Sequence, residues 1–293
     1  MNGLLKASCR GLMFHPPPRS SRTLFREDER NLMARSLSGE LIHCQLSYPY
    51  ESPCSWNSYR QTPSVVIFMH GNADDVASSQ TYCEWLANEL GTNVVSFDYP
   101  GYGFSSGSKN TSEEGMVEAA EVALELVTNR LGCDISQVVL FGKSIGSFPA
   151  VSLAARPYCA RIRGLVLVSP VASAARCVFD ASFVPGFLMQ RLDSVALNNL
   201  AEIRKVQSLV LFVHGRQDTL VPCDNSEVLQ QAASYHSQHP ALYVDAGHND
   251  IECRHQTLFL NTLRSFVQTC MTELHDKTGA SPYEFMHFEG GSG

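Results

Sequence analysis

Six short, nearly unbroken apolar runs, rich in valine, leave this chain very few ways to fold. They are Val65-Val66-Ile67-Phe68-Met69-His70, Val94-Val95-Ser96-Phe97-Asp98, Val138-Val139-Leu140-Phe141, Leu165-Val166-Leu167-Val168, Leu209-Val210-Leu211-Phe212-Val213 and Ala241-Leu242-Tyr243-Val244. A strand with one wet face alternates apolar and polar residues, and these runs do not. Strands buried on both faces read this way, as in a parallel sheet covered by helices on each side. Helical signals lie between the runs. Met116, Ala120, Ala123, Val127 and Leu131 recur every three or four residues, with Glu114, Glu118, Glu121 and Glu125 on the opposite, solvated face. Thr111 and Glu114 fit a capping box there, and Gly132 supplies the stop. Helices are further expected over 79–90, 225–237 and 255–274. The fold class predicted is α/β: one mostly parallel, doubly wound sheet domain over residues 31–275.

The ends of the chain carry weaker patterns. Arg35-Ser36-Leu37 and Glu40-Leu41-Ile42-His43-Cys44-Gln45-Leu46, separated by Ser38-Gly39, predict an antiparallel hairpin at the sheet edge. Residues 1–30 form a separate N-terminal segment, in which Gly11-Leu12-Met13-Phe14 runs into His15-Pro16-Pro17-Pro18. Packing on the body of the protein is expected of it; peripheral contact with a membrane face is the alternative. Residues 48–63 read as a surface loop and 276–293 as a mobile tail.

Composition narrows the partners. A net charge of −7 with no run of Lys or Arg excludes the electrostatic footprint of a nucleic-acid binder. Ten scattered cysteines without a C-x-x-C pair suggest neither a zinc site nor a disulfide framework, so a reducing, cytoplasmic setting is expected. No stretch approaches the roughly 18 apolar residues of a membrane helix. Lys6 interrupts the first apolar residues too early for a secretion signal, and Asn2 does not suit N-myristoylation.

The third run ends in Gly142-Lys143-Ser144-Ile145-Gly146 and passes into a helical pattern. Glycines two places before and after a serine permit a strained strand-to-helix turn with the hydroxyl at its tip. The alternative is a tight glycine turn with a solvated serine. Three other strand ends help to decide, because working residues of open α/β sheets gather at the carboxyl ends of the strands. His70-Gly71-Asn72-Ala73-Asp74-Asp75 follows the first run, His214-Gly215-Arg216-Gln217-Asp218 the fifth, and Gly247-His248-Asn249-Asp250 the sixth. The chain order Ser144, Asp218, His248 is that of a nucleophile, an acid and a base. His248 would take the serine proton and Asp218 would orient the ring. The backbone N–H groups of Ile145 and Asn72 would stabilise an oxyanion.

Other polar residues have plainer readings. His70 and His214 are expected to fix loops, Asp74 and Asp75 to be solvated loop acids, and Asp98 to be structural. Asp250 is a lesser candidate for orienting His248. His236, His239, His255, His275 and His287 show no ligand spacing, and neither metal nor cofactor is expected. Phe179, Phe183, Phe187, Leu188, Met189 and Leu192, in the 171–206 segment, either cover the sheet or form a short lid with an apolar groove; both readings stand.

Taken together, His70-Gly71-Asn72-Ala73, Asp98-Tyr99-x-Gly101-Tyr102-Gly103, Gly142-x-Ser144-Ile145-Gly146, Ser169-Pro170 and Gly247-His248-Asn249-Asp250 resemble the α/β-hydrolase superfamily. Within it they are most similar to the α/β-hydrolase-domain-containing protein 17 family, serine hydrolases that remove palmitate from protein cysteines. The resemblance extends from about Phe14 to Val267 and puts the family's nucleophile, acid and base on Ser144, Asp218 and His248. It implies an α/β-hydrolase fold with a short or absent lid, and a serine hydrolase cleaving acyl thioesters of S-acylated proteins. A carboxylesterase or aminopeptidase-like hydrolase of small substrates is the alternative, and a non-catalytic binding scaffold a second. Two features depart from the family. Lys143 stands where it usually has glutamine, and Cys9 alone stands where it carries a cysteine cluster.

Overall fold

The computed structural model describes residues 13–17, 30–50, 64–107, 111–179, 181–234 and 239–278, with backbone only from 271 onward. Cys9, His236, His287, most of the expected 48–63 loop and the tail beyond 278 lie outside the described residues. In chain order the main elements are β1 (Asn31–Arg35), β2 (Leu41–Ser47), β3 (Val65–Met69), α1 (Val76–Leu90), β4 (Asn93–Phe97), α2 (Glu113–Glu125), β5 (Val138–Lys143), α3 (Ser147–Ala154) and β6 (Gly164–Val168). There follow α4 (Ala174–Val178), α5 (Gly186–Asp193), α6 (Asn199–Glu202), β7 (Val210–Gly215), α7 (Asp224–Ala232), β8 (Leu242–Val244), α8 (Ile251–Arg254) and α9 (Gln256–Thr278).

The strands form one eight-stranded sheet in the order β1-β2-β4-β3-β5-β6-β7-β8. From β4 to β8 neighbours run parallel, while β1 pairs β2 and β2 pairs β4 antiparallel. The two-sided burial expected of the apolar runs is visible residue by residue. Val65, Ile67 and Met69 enter one core cluster, whereas Val66 and Phe68 between them enter the other. The first cluster is roofed by Met116, Ala120 and Ala123 of α2 and by α3, whose eight residues are all buried. Cys83 and Leu86 of α1 and Phe259, Leu263 and Phe266 of α9 roof the second. At about 1.5–3 kcal/mol for each large apolar side chain, burial in these layers holds the sheet between them. The chain leaves β3 toward β4 on one side and later returns to β5 on the other, so a crevice opens between the carboxyl ends of β3 and β5.

Local structure differs from the sequence expectation at several points. Ser112, rather than Thr111, caps α2 by accepting from the Gly115 N–H; Thr111 is buried and donates to the Pro100 carbonyl. Asp75 is no solvated loop acid: it is buried and caps α1 through the Ser78 N–H. In the edge hairpin β1 ends at Arg35, because Ser36 N–H bonds the Glu40 carbonyl and Gly39 turns at φ +93°, which leaves Leu37 in the turn and exposed. Among the described residues no helix is long and apolar enough to cross a membrane.

Candidate active site

Ser144 stands at the end of β5, between two parallel neighbours, with a backbone φ of +54°. Such a left-handed turn costs a residue with a side chain about 1–2 kcal/mol, and it persists because its surroundings allow nothing else. A Cβ on Gly142 would lie 2.7 Å from the Gly146 carbonyl oxygen and 2.7 Å from the Ser147 Cα. One on Gly146 would lie 2.2 Å from the Met69 carbonyl oxygen. The two glycines thus let the turn close on itself and press against the end of β3. Beyond the serine a short 3-10 turn, Ser144–Gly146, runs into α3, so the first N–H groups of the helix point past Ser144.

The loops after β7 and β8 bring two side chains to this hydroxyl. His248 Nε2 lies 3.0 Å from Ser144 Oγ, and His248 Nδ1 lies 2.6 Å from Asp218 Oδ2. Because the carboxylate only accepts, Nδ1 carries the ring proton and Nε2 is free to accept from the serine. Asp218 is itself closely held. Its Oδ1 accepts from the Leu220 and Val221 N–H groups, both at 2.9 Å. Burial disfavours its charge, but bonds from His214, His248 and the Val221 N–H outweigh that, so its carboxyl is held well below the usual carboxylate range.

His214 does more than fix a loop. It is fully buried, with Nε2 2.9 Å from the Val221 carbonyl and 3.3 Å from Asp218 Oδ2, and Nδ1 2.6 Å from Ser226 Oγ. The carbonyl can only accept, so Nε2–H donates and is shared with Asp218, while Ser226 donates to Nδ1. Asp250, weighed against Asp218, accepts instead from the Gly247 N–H at 2.6 Å and pairs with Arg254. It shapes the loop that carries His248. Lys143, immediately before the serine, reaches Glu252 at 3.1 Å, and Tyr82 donates to the same Glu252 oxygen at 3.0 Å. A partly buried ion pair therefore ties the end of β5 to α8, just beyond the His248 loop.

The two expected oxyanion donors follow neighbouring parallel strands, Asn72 after β3 and Ile145 after β5. Ile145 is buried at the start of the turn into α3. Asn72 lies one residue beyond Gly71, whose added Cβ would sit 3.9 Å from Ser144 Cβ, so this loop flanks the hydroxyl. Further back, Asp98 is structural: it takes His43 Nδ1 at 2.9 Å and the Val76 and Phe104 N–H groups. Among the described residues no group of three or more His, Cys, Asp or Glu could hold a metal ion.

Comparison with known proteins gives the family and the fold. Human alpha/beta hydrolase domain-containing protein 17B is 31% identical over 245 residues, covering 83% of this chain and 76% of that protein. The chain belongs to the alpha/beta hydrolase domain-containing protein 17 family. The family's 17C protein from Xenopus tropicalis is 32% identical over 203 residues, 69% of this chain and 61% of the relative's length, so the aligned part spans about three fifths of that relative. The serine aminopeptidase S33 family model matches residues 60–204. Among solved structures, the Pyrococcus furiosus esterase Pf2001 superposes with a TM-score of 0.65 at 17% identity, over 88% of this chain and 98% of that one. Esterase RhEst1 from Rhodococcus sp. ECU1013 gives 0.60 at 16% identity, over 82% and 99%. These likenesses establish the α/β-hydrolase fold that this family member adopts.

Proposed function

We propose that the chain is a serine hydrolase that cleaves acyl thioesters, with S-acylated proteins as its substrate class. The observation that carries this reading is the unbroken hydrogen-bonded path from Ser144 Oγ through His248 to Asp218, at 3.0 and 2.6 Å, on a serine held at φ +54°. Ser144 Oγ attacks the acyl carbonyl as its proton passes to His248 Nε2, and the carbonyl oxygen becomes an oxyanion facing the Ile145 and Asn72 N–H groups. The C–S bond then breaks, His248 returns the proton to the leaving sulfur, and the acyl group stays on Ser144. Water repeats the sequence and releases the fatty acid. A cysteine thiol, with an ordinary pKa of about 8.5, leaves far more readily than an alkoxide or an amine, which favours thioesters in a site of this kind.

The 171–206 segment supports an acyl substrate. Val178, Phe183 and Phe187 are 76%, 86% and 73% exposed on and between the short helices α4 and α5. Exposed apolar side chains on this segment suit a fatty chain better than a peptide terminus. The cysteines within the described residues are all free thiols, which fits action in the reducing cytoplasm. A peptidase or small-ester reading takes its support from the S33 match over residues 60–204. A fluorophosphonate probe applied to wild type and Ser144→Ala, followed by thioesters, oxygen esters and aminoacyl amides of graded length, separates these readings. Labelling of wild type alone with preference for long-chain thioesters is expected. Preference for free amino termini would favour the peptidase, and absence of labelling would leave a binding scaffold.

A further inference from the structure

Asn72 enters the hydrolase reading only through its backbone N–H, yet its side chain makes three hydrogen bonds. Oδ1 accepts from the His15 N–H at 2.9 Å and from the Tyr102 hydroxyl at 2.8 Å, and Nδ2 donates to the Met13 carbonyl at 2.6 Å. The two bonds to Met13 and His15 flank Phe14, so the carboxamide pairs with the N-terminal segment much as a neighbouring strand would. Phe14 anchors this pairing: it is 6% exposed and belongs to the same core cluster as Tyr99 and Tyr102. Beneath the loop, the Tyr99 hydroxyl donates to the His70 carbonyl at 2.9 Å, and the His70 ring packs 4.2 Å from Tyr99 and 5.4 Å from Tyr102 between ring centroids.

The geometry points to residues 13–15 and Tyr102 as positioning groups of the oxyanion hole, which act through the Asn72 carboxamide to aim the Asn72 N–H at the reacting centre. This inference rests on the hydrolase reading and adds a function for the N-terminal segment. Gly71 gives the loop freedom to approach Ser144, and the same freedom would let the donor wander. Three hydrogen bonds on one side chain remove that freedom before substrate arrives. An oxyanion donor is worth about 10²–10³ in rate when it is preorganised, so releasing the loop forfeits part of that factor.

The test compares Asn72→Ala, Phe14→Ala and Tyr102→Phe with wild type in the full chain. Rates are normalised to the sites titrated by a fluorophosphonate, so that loss of folded protein is not counted as loss of catalysis. The substrates are a matched pair, a short-chain ester and its thionoester, whose sulfur is a poor acceptor for an oxyanion hole. Asn72→Ala and Phe14→Ala are expected to lower kcat for the oxygen ester about 10- to 10²-fold with KM little changed. They should also compress the oxo-to-thiono rate ratio. Tyr102→Phe keeps the ring and removes one bond, so it should give a smaller shift in the same direction. A ratio unchanged in all three variants, beside an active wild type that loses its activity in Ser144→Ala, overturns the inference and leaves the hydrolase reading intact. A wild type that neither labels nor turns over overturns both.

Discussion

Replacing Asp218 by Asn tests the acid more sharply than truncation, because the structure dictates which way the new amide must face. Oδ1 accepts two backbone N–H groups, from Leu220 and Val221, at 2.9 Å. The amide oxygen of Asn must occupy that position, which puts its NH2 where Oδ2 now meets His248 Nδ1 at 2.6 Å. A donor there forces His248 to carry its proton on Nε2, facing Ser144, where it can no longer accept the serine proton. Flipping the amide to restore the tautomer leaves the two backbone donors unmatched. At about 1–3 kcal/mol for each unsatisfied group, this penalty is about 2–6 kcal/mol. With about 1.4 kcal/mol per decade, the competent orientation is depleted roughly 30- to 10⁴-fold, and kcat for a p-nitrophenyl ester should fall by that factor. Acylation would be followed by stopped flow, with thermal melts to verify the fold. Activity within threefold of wild type in a folded Asp218→Asn protein would refute the reasoning, as would a fall no different from that of Asp250→Asn.

Three further outcomes are expected. Gly146→Ala should destabilise the protein by more than about 3 kcal/mol in urea melts, because its Cβ would meet the Met69 carbonyl at 2.2 Å, while Gly39→Ala, with open space and only φ +93° against it, should lose about 1–2 kcal/mol. Acid sensitivity should follow Asp98 and Asp218. Burial raises both carboxyls, but bonds from His43 to Asp98 and from His214 and His248 to Asp218 bring them below their unfolded value of about 3.9. Their contribution is therefore complete above about pH 4 and is lost as pH falls through the folded values, so Asp98→Asn should flatten unfolding free energy against pH in that window; an unchanged slope would contradict it. Phe183→Ser and Phe187→Ser should leave stability within about 0.5 kcal/mol and raise KM only for long-chain thioesters, read from chain-length profiles.

The fold was legible because burial on both sheet faces leaves a mark in one dimension. Val65 to Met69 shows no alternation, since odd and even residues enter two different cores. The strand ends that carry Ser144, Asp218 and His248 were legible for a related reason: glycine, histidine and aspartate interrupt apolar runs at positions where only a loop can follow. What sequence did not show are pairings between a side chain and a distant backbone or acid. Asn72 with Met13 and His15, 57 residues apart in the latter case, leaves no periodic trace. Lys143 with Glu252, 109 residues apart, leaves none either. In sequence His214 looks like any loop histidine, because its bond to Asp218 depends on how the β7 turn closes. Thr111 and Ser112 are adjacent hydroxyl residues with equal capping chemistry, and burial beside Pro100 decided between them.

The central claim is that Ser144 carries the acyl group during turnover. Its most direct test is acid quench of the full chain within the first turnover of a long-chain acyl thioester, followed by mass spectrometry of the peptide that contains Ser144. The account predicts one acyl group on Ser144 in wild type, lengthened in lifetime by slowing deacylation, and none in Ser144→Ala. Turnover of the thioester with no acyl adduct, or with the acyl group on a cysteine such as Cys177 or Cys223, would contradict it.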